Sequence, residues 1–372
     1  MRTHPGARIS LAGCLALGTL LLVGARFVRA AAPEMPPPSC PPDTVYQVGT
    51  AAVDITPSYP VRLSGFGFRR TESEGVTQPI WAKALAIGAD NENPAVLITV
   101  DNLGVPDDVV AEVAARLKKE AGIPRERLAV TATHTHTAPM LKGVAPTLFG
   151  MPIPPEHQEH IDRYTREFTD KLEQTALAAL RDRRPGRLSW GIGSAGFAIN
   201  RRTKGGPVDH DLPVLVVKDL QGRIRAIYVS YACHCVTLSN NKLSGDWAGF
   251  AQEQIQRAHA GVVALISVGC GADANPSSGV TGDKVDVAAA QGAEVAREVD
   301  RLLQGFLAPV GGKLAARRST FDLGGRSRLS RSRAIGPPRP GPTAHGKSWL
   351  FGTDLGIRRS TGVGLLAGRG GG

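Results

Sequence analysis

Along residues 46–322, short apolar runs alternate with longer stretches in which an apolar residue recurs at every third or fourth position. This pattern predicts interleaved strands and helices. Short apolar or β-branched runs that end in turn residues predict strands. Stretches with an apolar residue at every third or fourth position predict helices. The predicted strands are 48–55, 81–89, 95–100, 128–133, 188–193, 214–218, 224–235 and 262–268. The predicted helices are 106–121, 155–183, 247–258 and 288–303. This order predicts a single large α/β domain in which a mixed β-sheet is flanked by helices.

The first 30 residues have the composition of a secretory signal peptide. Arg2 and Arg8 form a basic start, an apolar run covers 9–25, and Val28-Arg29-Ala30 provides small residues before a cleavage point. We therefore expect a secreted or periplasmic protein. A retained membrane anchor is the alternative, although the apolar run is short for a membrane span. A Pro-rich linker is expected over 31–45.

The composition changes at residue 323. Residues 323–372 contain nine Lys or Arg and one acidic residue, no Glu occurs after Glu298, and no Tyr occurs after Tyr231. A tail rich in Gly, Arg, Ser and Pro is expected to be disordered. It is typical of a frame-shifted or truncated reading frame, and a natural basic tail is the alternative. Because much of the net charge of +11 lies there, we do not expect the folded domain to bind nucleic acid.

A His-x-His pair follows one of the predicted strands. In Thr133-His134-Thr135-His136 the two histidines are two residues apart, so in extended chain both imidazoles face the same way. Neutral imidazole is a common zinc ligand, and neighbouring hydroxyl groups can fix the ring tautomer. The pair predicts a metal site, with two surface histidines as the alternative.

Two further loops after strands contain groups suited to chemistry. His234 ends the strand predicted at 224–235, and Asp273 and Asn275 follow the strand at 262–268. Ligands in α/β proteins bind at such strand ends. The alternatives are a buried core histidine and a turn without function. Arg201 could bind an oxyanion, and a solvated charge is its alternative.

Together these loops resemble the neutral/alkaline non-lysosomal ceramidases, and in particular their shorter bacterial relatives. The similarity is carried by the motifs GTAAVDITP, AKAL, THTH, NR, SGD and GADANP, together with His234, in this order between residues 48 and 303. The resemblance implies hydrolysis of the amide of ceramide to sphingosine and a fatty acid. It also implies zinc as the cofactor, a lipid-like amide as the substrate, and room for peripheral membrane contact.

The resemblance also implies residue roles. His134 and His234 correspond to zinc ligands, and His136 corresponds to an active-site histidine that does not bind the metal. Arg201 corresponds to the active-site arginine, and Asp273 to the acid before the nucleophile. Asn275 stands where the family has its nucleophilic serine, and Asn cannot form an acyl-enzyme.

The ligand set is the second departure from the family. The family's remaining ligands, a Glu and a Tyr, come from downstream sequence that contains neither residue here. A catalytic zinc normally has three protein ligands. We therefore expect Asp246, His210 or Asp273 to complete the site, or ceramide to be hydrolysed poorly. The alternatives are a hydrolase of another amide or ester, and an exported domain that binds lipid or glycan without catalysis.

Overall fold

The computed structural model describes residues 44–321 and the backbone of 360–367. The predicted signal peptide, most of the linker, and the predicted tail except for one strand lie outside the described residues. The strands are β1 (Tyr46–Asp54), β2 (Trp81–Ile87), β3 (Ala95–Val100), β4 (Leu128–Ala132), β5 (Arg184–Ser194), β6 (Ala198–Asn200), β7 (Asp211–Asp219), β8 (Ile224–Tyr231), β9 (Val263–Val268), β10 (Ala274–Pro276), β11 (Ala308–Val310), β12 (Leu314–Phe321) and β13 (Ser360–Ala367). The helices are α1 (Asp107–Ala121), α2 (Pro155–Arg181), α3 (Asp246–Ala258) and α4 (Val285–Leu303).

One mixed sheet organises the described part of the chain. Its strand order is β4-β3-β2-β1-β5-β7-β8-β9, and β11 pairs with β5. The pairs β3/β4 and β8/β9 are parallel, while the other neighbours in this order are antiparallel. The two halves of the sheet join through a short β1/β5 register, Tyr46 to Val48 against Arg184 to Gly186.

The two halves of the sheet stack on each other. Leu85 and Ile87 of β2 pack in one cluster with Val217 of β7 and Leu265 of β9. The ammonium of Lys83, also on β2, donates to the carbonyl oxygen of Ala264 on β9 at 2.9 Å. Because strand side chains alternate, one face of β2 meets the other half of the sheet and the opposite face is available to helices.

The helices form the two outer layers. A cluster that includes Ala82, Ala84 and Ala86 of β2 packs against α1 and α2. A separate cluster of β7, β8 and β9 residues packs against α3 and α4. The prediction of mixed β-sheet flanked by helices is confirmed, and the layer order is helix, sheet, sheet, helix.

Several elements differ from the prediction. The strands β6 and β10 pair only with each other and have three residues each, too few for a period to show. The strand predicted over 224–235 ends at Tyr231, which leaves His234 in a loop. Within the predicted tail, the described residues 360–367 form β13, which pairs antiparallel with β12. Within the described ranges, no helix combines the length and the apolar character needed to cross a membrane.

Candidate metal centre

Three histidines meet where two parallel strand pairs end. His134 and His136 follow β4, which is parallel to β3, and His234 follows β8, which is parallel to β9. Stacking of the two sheet halves brings these strand ends together. The imidazole centroid of His234 lies 4.6 Å from that of His134 and 5.8 Å from that of His136.

His134 is held in an unusual backbone conformation. Its φ is +58°, in the left-handed region that costs a non-glycine residue roughly 1–3 kcal/mol. The extended geometry expected for the His-x-His pair is therefore wrong, although both rings still reach one site. The turn points the ring Nδ1 of His134 at the carbonyl oxygen of Leu103, 2.7 Å away. Strain of this kind at a polar cluster indicates a functional site.

His136 is fixed by the loop that precedes β2. Its Nδ1 donates to the carbonyl oxygen of Gly65 at 3.1 Å. Its own carbonyl oxygen accepts from the guanidinium of Arg69 at 2.6 Å. Arg69 is only 3 % exposed and also donates to the carbonyl of Asn240 at 2.7 Å, so it ties three loops together. Nothing in the sequence distinguished Arg69 from a solvated loop arginine.

His234 is held by the loop after β9. Its Nδ1 donates to the carbonyl oxygen of Gly271 at 2.6 Å, and its backbone N–H donates to the carbonyl of Ala274 at 2.9 Å. A Cβ added at Gly271 would lie 2.7 Å from the backbone nitrogen of Cys233. Only glycine therefore allows this close approach of the two loops.

The three rings converge on a common point. The side-chain nitrogens of His134, His136 and His234 that could bind a metal all lie within 4.8 Å of one another. Each ring gives its Nδ1 proton to a backbone carbonyl, which leaves Nε2 of the neutral ring as an acceptor. The Nε2 atoms of His134 and His136 are 3.4 Å apart, so two lone pairs face each other. A cation between them satisfies both, and tautomer-fixed imidazoles of this kind are the usual metal ligands.

Burial keeps these histidines neutral. It lowers the pKa of His134 to about 4, with a further contribution from His234. Burial, followed by the charges of His134 and His234, holds the pKa of His136 well below its usual value. Burial also lowers the pKa of His234. The rings are therefore ready to bind a metal ion at neutral pH without releasing protons.

The Asn-Arg motif packs beside the loop after β9. The backbone N–H of Arg201 donates to the carbonyl oxygen of Asp273 at 2.8 Å, and its Nε donates to that of Ala272 at 3.0 Å. Oδ2 of Asp273 accepts from the Asn200 side chain at 3.3 Å. The charge of Arg201 contributes to the lowered pKa of both His134 and His234. Arg201 is therefore bonded to the same loop, 271–274, that holds His234 through the carbonyls of Gly271 and Ala274.

Asn275 lies in β10, paired with Ile199 of β6. Within the described part of the chain, its buried Oδ1 has no hydrogen-bond partner. A buried amide oxygen without a partner costs about 1–3 kcal/mol, unless a ligand or water satisfies it. The amide oxygen of Asn275 is therefore available to accept a hydrogen bond from a bound molecule.

The expected substitute ligands do not join the cluster. The carboxylate of Asp246 accepts from the backbone N–H groups of Leu238 and Trp247 at 2.7 and 2.6 Å, at the start of α3. His210 donates from Nε2 to the carbonyl oxygen of Ala198 at 3.1 Å. Among the described residues the group that could hold a metal contains only histidines, so the prediction for Asp246, His210 and Asp273 is wrong. His136 is the third member of that group.

An aromatic pair borders the cluster. The ring of Phe66 meets His136 edge-on at 5.2 Å, and Phe68 stacks on Phe66 at 5.2 Å. The side chain of Phe68 is 62 % exposed. The two rings form an apolar path from solvent to the histidines, which suits a substrate with a hydrocarbon chain.

The family model for neutral/alkaline non-lysosomal ceramidases (N-terminal) matches residues 46–193. Over these residues, which are less than half of its length, the chain is similar to that family. Neutral ceramidase B of Dictyostelium discoideum is 24 % identical over 226 residues, which cover 56 % of this chain and 31 % of that protein. The segment matched by the family model includes His134 and His136 and ends before His234.

Two solved structures have the same fold. The neutral ceramidase from Pseudomonas aeruginosa has a TM-score of 0.66 and 22 % identity, and covers 75 % of this chain and 48 % of its own. A ceramidase complexed with C2 has a TM-score of 0.65 and 22 % identity, and covers 75 % of this chain and 47 % of its own. The chain therefore spans between about a third and a half of the relatives it matches.

Proposed function

We propose that this chain is a zinc-dependent hydrolase that cleaves the amide bond of a ceramide-like lipid. The convergence of three Nε2 atoms, each fixed by a backbone carbonyl at Nδ1, is the observation that carries the proposal. Three neutral nitrogens match the protein ligand count of catalytic zinc sites. The match of residues 46–193 to the ceramidase family model and the apolar path at Phe66 and Phe68 support an amide lipid as the substrate.

The residues present fit a zinc ion. His134, His136 and His234 would hold it, and bound zinc would supply Lewis-acid polarisation of a carbonyl group and a more acidic water. Assigning His136 to the metal departs from the non-ligating role that the family resemblance implies for it. Its Nε2 faces that of His134 at 3.4 Å, whereas its Nδ1 is engaged by Gly65.

The remaining side chains stabilise charge and move the proton. Arg201 and the amide of Asn275 are assigned to the oxyanion that develops on the carbonyl oxygen, because oriented donors near such a site lower the barrier. Asp273, whose Oδ2 is held by Asn200, is assigned to take a proton from the attacking water and return it to the leaving amine nitrogen. With Asn275 in place of serine, water attacks directly and no acyl-enzyme forms.

The test combines zinc content with hydrolysis of a fluorescent ceramide. The full chain should contain one zinc and release fluorescent fatty acid, and His134→Ala should lose both. His259→Ala is the matched control, since His259 bonds Asp300 at the end of α3 and is not in the cluster. Equal zinc content in all three proteins would contradict the proposal.

A second candidate function is lipid binding without catalysis, which Asn275 at the nucleophile position favours. Such a protein would bind the fluorescent ceramide, with or without zinc, and release no fatty acid over hours. Turnover that depends on His134 excludes this candidate.

A further inference from the structure

A groove of about 750 Å³ lies beside the Asn-Arg motif. It is bordered by β6 and by the loop that leads to β7, and its lining includes Ile199, Arg201, Arg202, Lys204 and Val208. The volume is within the range of small-molecule sites. The roles already assigned to Arg201 and the histidines do not account for the rest of this groove.

The side chain of Asn200 gives the loop a fixed shape. Its Oδ1 accepts from the backbone N–H groups of Arg202 and Thr203 at 3.0 and 2.9 Å. Its Nδ2 donates to the carbonyl oxygen of Pro207 at 3.0 Å and to Asp273. A loop tied at both ends in this way presents its side chains at low entropic cost, as a binding site requires.

The groove is lined by positive charge. Arg201, Arg202 and Lys204 are all exposed, and within the described ranges neither Arg202 nor Lys204 forms a salt bridge. Burial lowers the pKa of Arg201, and the charge of Arg202 lowers it further, whereas the charge of Asp273 acts in the opposite direction. Neighbouring cations repel each other, and an anion bound beside Arg202 and Lys204 would relieve this repulsion.

The same groove also has apolar lining residues, and one of its arginines is bonded to the loop that holds His234. Ile199 is 47 % exposed, and Val208 is half-buried on the opposite border. Arg201 belongs to the groove and donates to the carbonyls of Ala272 and Asp273, in the same short loop whose Gly271 and Ala274 carbonyls hold His234. A molecule whose anionic end contacts Arg202 and Lys204 could therefore place its adjoining part against Ile199 and towards the cluster.

We propose that this groove binds the anionic group of an amphiphilic amide, a phosphate, sulfate or carboxylate, while the scissile amide lies at the three histidines. The inference rests on the proposed hydrolase function and narrows its substrates from ceramide-like lipids to those that carry an anion. Paired guanidinium and ammonium groups suit such an anion, because both donate charge-assisted hydrogen bonds to its oxygens.

Calorimetric titration of the metal-free full chain tests the groove without turnover. Dodecyl phosphate, below its micelle concentration, should bind at least about 10-fold more tightly than dodecanol. The double variant Arg202→Gln/Lys204→Gln should weaken this binding about 10-fold or more, and raising the salt from 0.05 to 0.5 M should weaken it in the wild type. The double variant Lys118→Gln/Lys119→Gln, at two exposed sites on α1, removes the same charge and should change nothing.

Each other outcome overturns the inference. Equal binding of dodecanol and dodecyl phosphate would show that the anion is not recognised. Inorganic phosphate binding as tightly as dodecyl phosphate would show a site for the free ion rather than for an amphiphile. Binding that survives in the double variant would place the site elsewhere. Since both substitutions are on exposed loop side chains, an unchanged melting curve verifies the fold.

The groove and the hydrolase function can fail separately. If dodecyl phosphate binds through Arg202 and Lys204 but no amide is cleaved, the groove stands and the hydrolase proposal is wrong. If dodecyl phosphate does not bind, but neutral ceramide is hydrolysed at the same rate by the wild type and the double variant, the hydrolase proposal stands and the groove proposal is wrong. For an anionic amide substrate, the double variant should raise KM about 10-fold and leave kcat nearly unchanged, because uniform binding is lost.

Discussion

Gly65→Ala tests whether the loop before β2 sets the position of His136. Gly65 has φ +93°, and a Cβ added there would lie 2.7 Å from Cβ, Cγ and Nδ1 of His136. The ring must move, and its hydrogen bond to the Gly65 carbonyl is lost with it. Loss of such a partner typically lowers metal affinity about 10–100-fold, and we expect that loss for zinc.

The control for this variant is Gly143→Ala. Gly143 has φ +80°, and a Cβ there would have no atom within 4 Å. Both variants therefore share a backbone cost of about 1–2 kcal/mol, and only Gly65→Ala meets the histidine. Zinc affinity should be measured by competition with a chromogenic chelator, and stability by thermal melting of the metal-free proteins. If both variants melt lower but bind zinc equally well, the reasoning about His136 is refuted.

Three further predictions concern the apolar path, pH and export. Phe68→Ala should raise KM for a long-chain fluorescent ceramide several-fold and leave KM for a short-chain analogue unchanged. Equal effects on the two KM values would exclude Phe68 from binding the hydrocarbon chain. In the metal-free protein the unfolded chain takes up a proton at His134 near pH 6.5 and the native state only near pH 4, so stability falls as the pH drops through this window. Urea titrations should show that the free energy of unfolding falls by up to about 3 kcal/mol across this window, and that His134→Gln lacks this loss. Parallel pH curves for the two proteins would contradict the burial argument. N-terminal sequencing of secreted protein should begin at or near Ala31, whereas intact Met1 in the cytoplasm would refute the signal peptide.

The sequence predicted the layers and the strand-end loops because these depend on local periodicity. The short apolar run of β2, ended by turn residues, indicated a strand, and the Pro and Gly around α1 indicated its ends. His134 and His234 were identified because both follow apolar strands.

The rest of the site depends on backbone atoms and on contacts between distant residues. The carbonyls of Gly65, Leu103 and Gly271 orient the rings, and a carbonyl has no residue identity that a sequence could show. The left-handed turn at His134 is imposed by its tertiary surroundings, against its intrinsic preference. The buried Arg69 looked like an ordinary loop cation for the same reason.

X-ray absorption at the zinc edge of the purified full chain tests the three-histidine centre most directly. The account predicts one zinc per chain with three imidazole nitrogens at roughly 2.0–2.1 Å, and two imidazoles in any protein that His136→Ala leaves metallated. A spectrum with two imidazoles in the wild type, unchanged in His136→Ala, would contradict the three-histidine centre and show that His136 does not bind the metal.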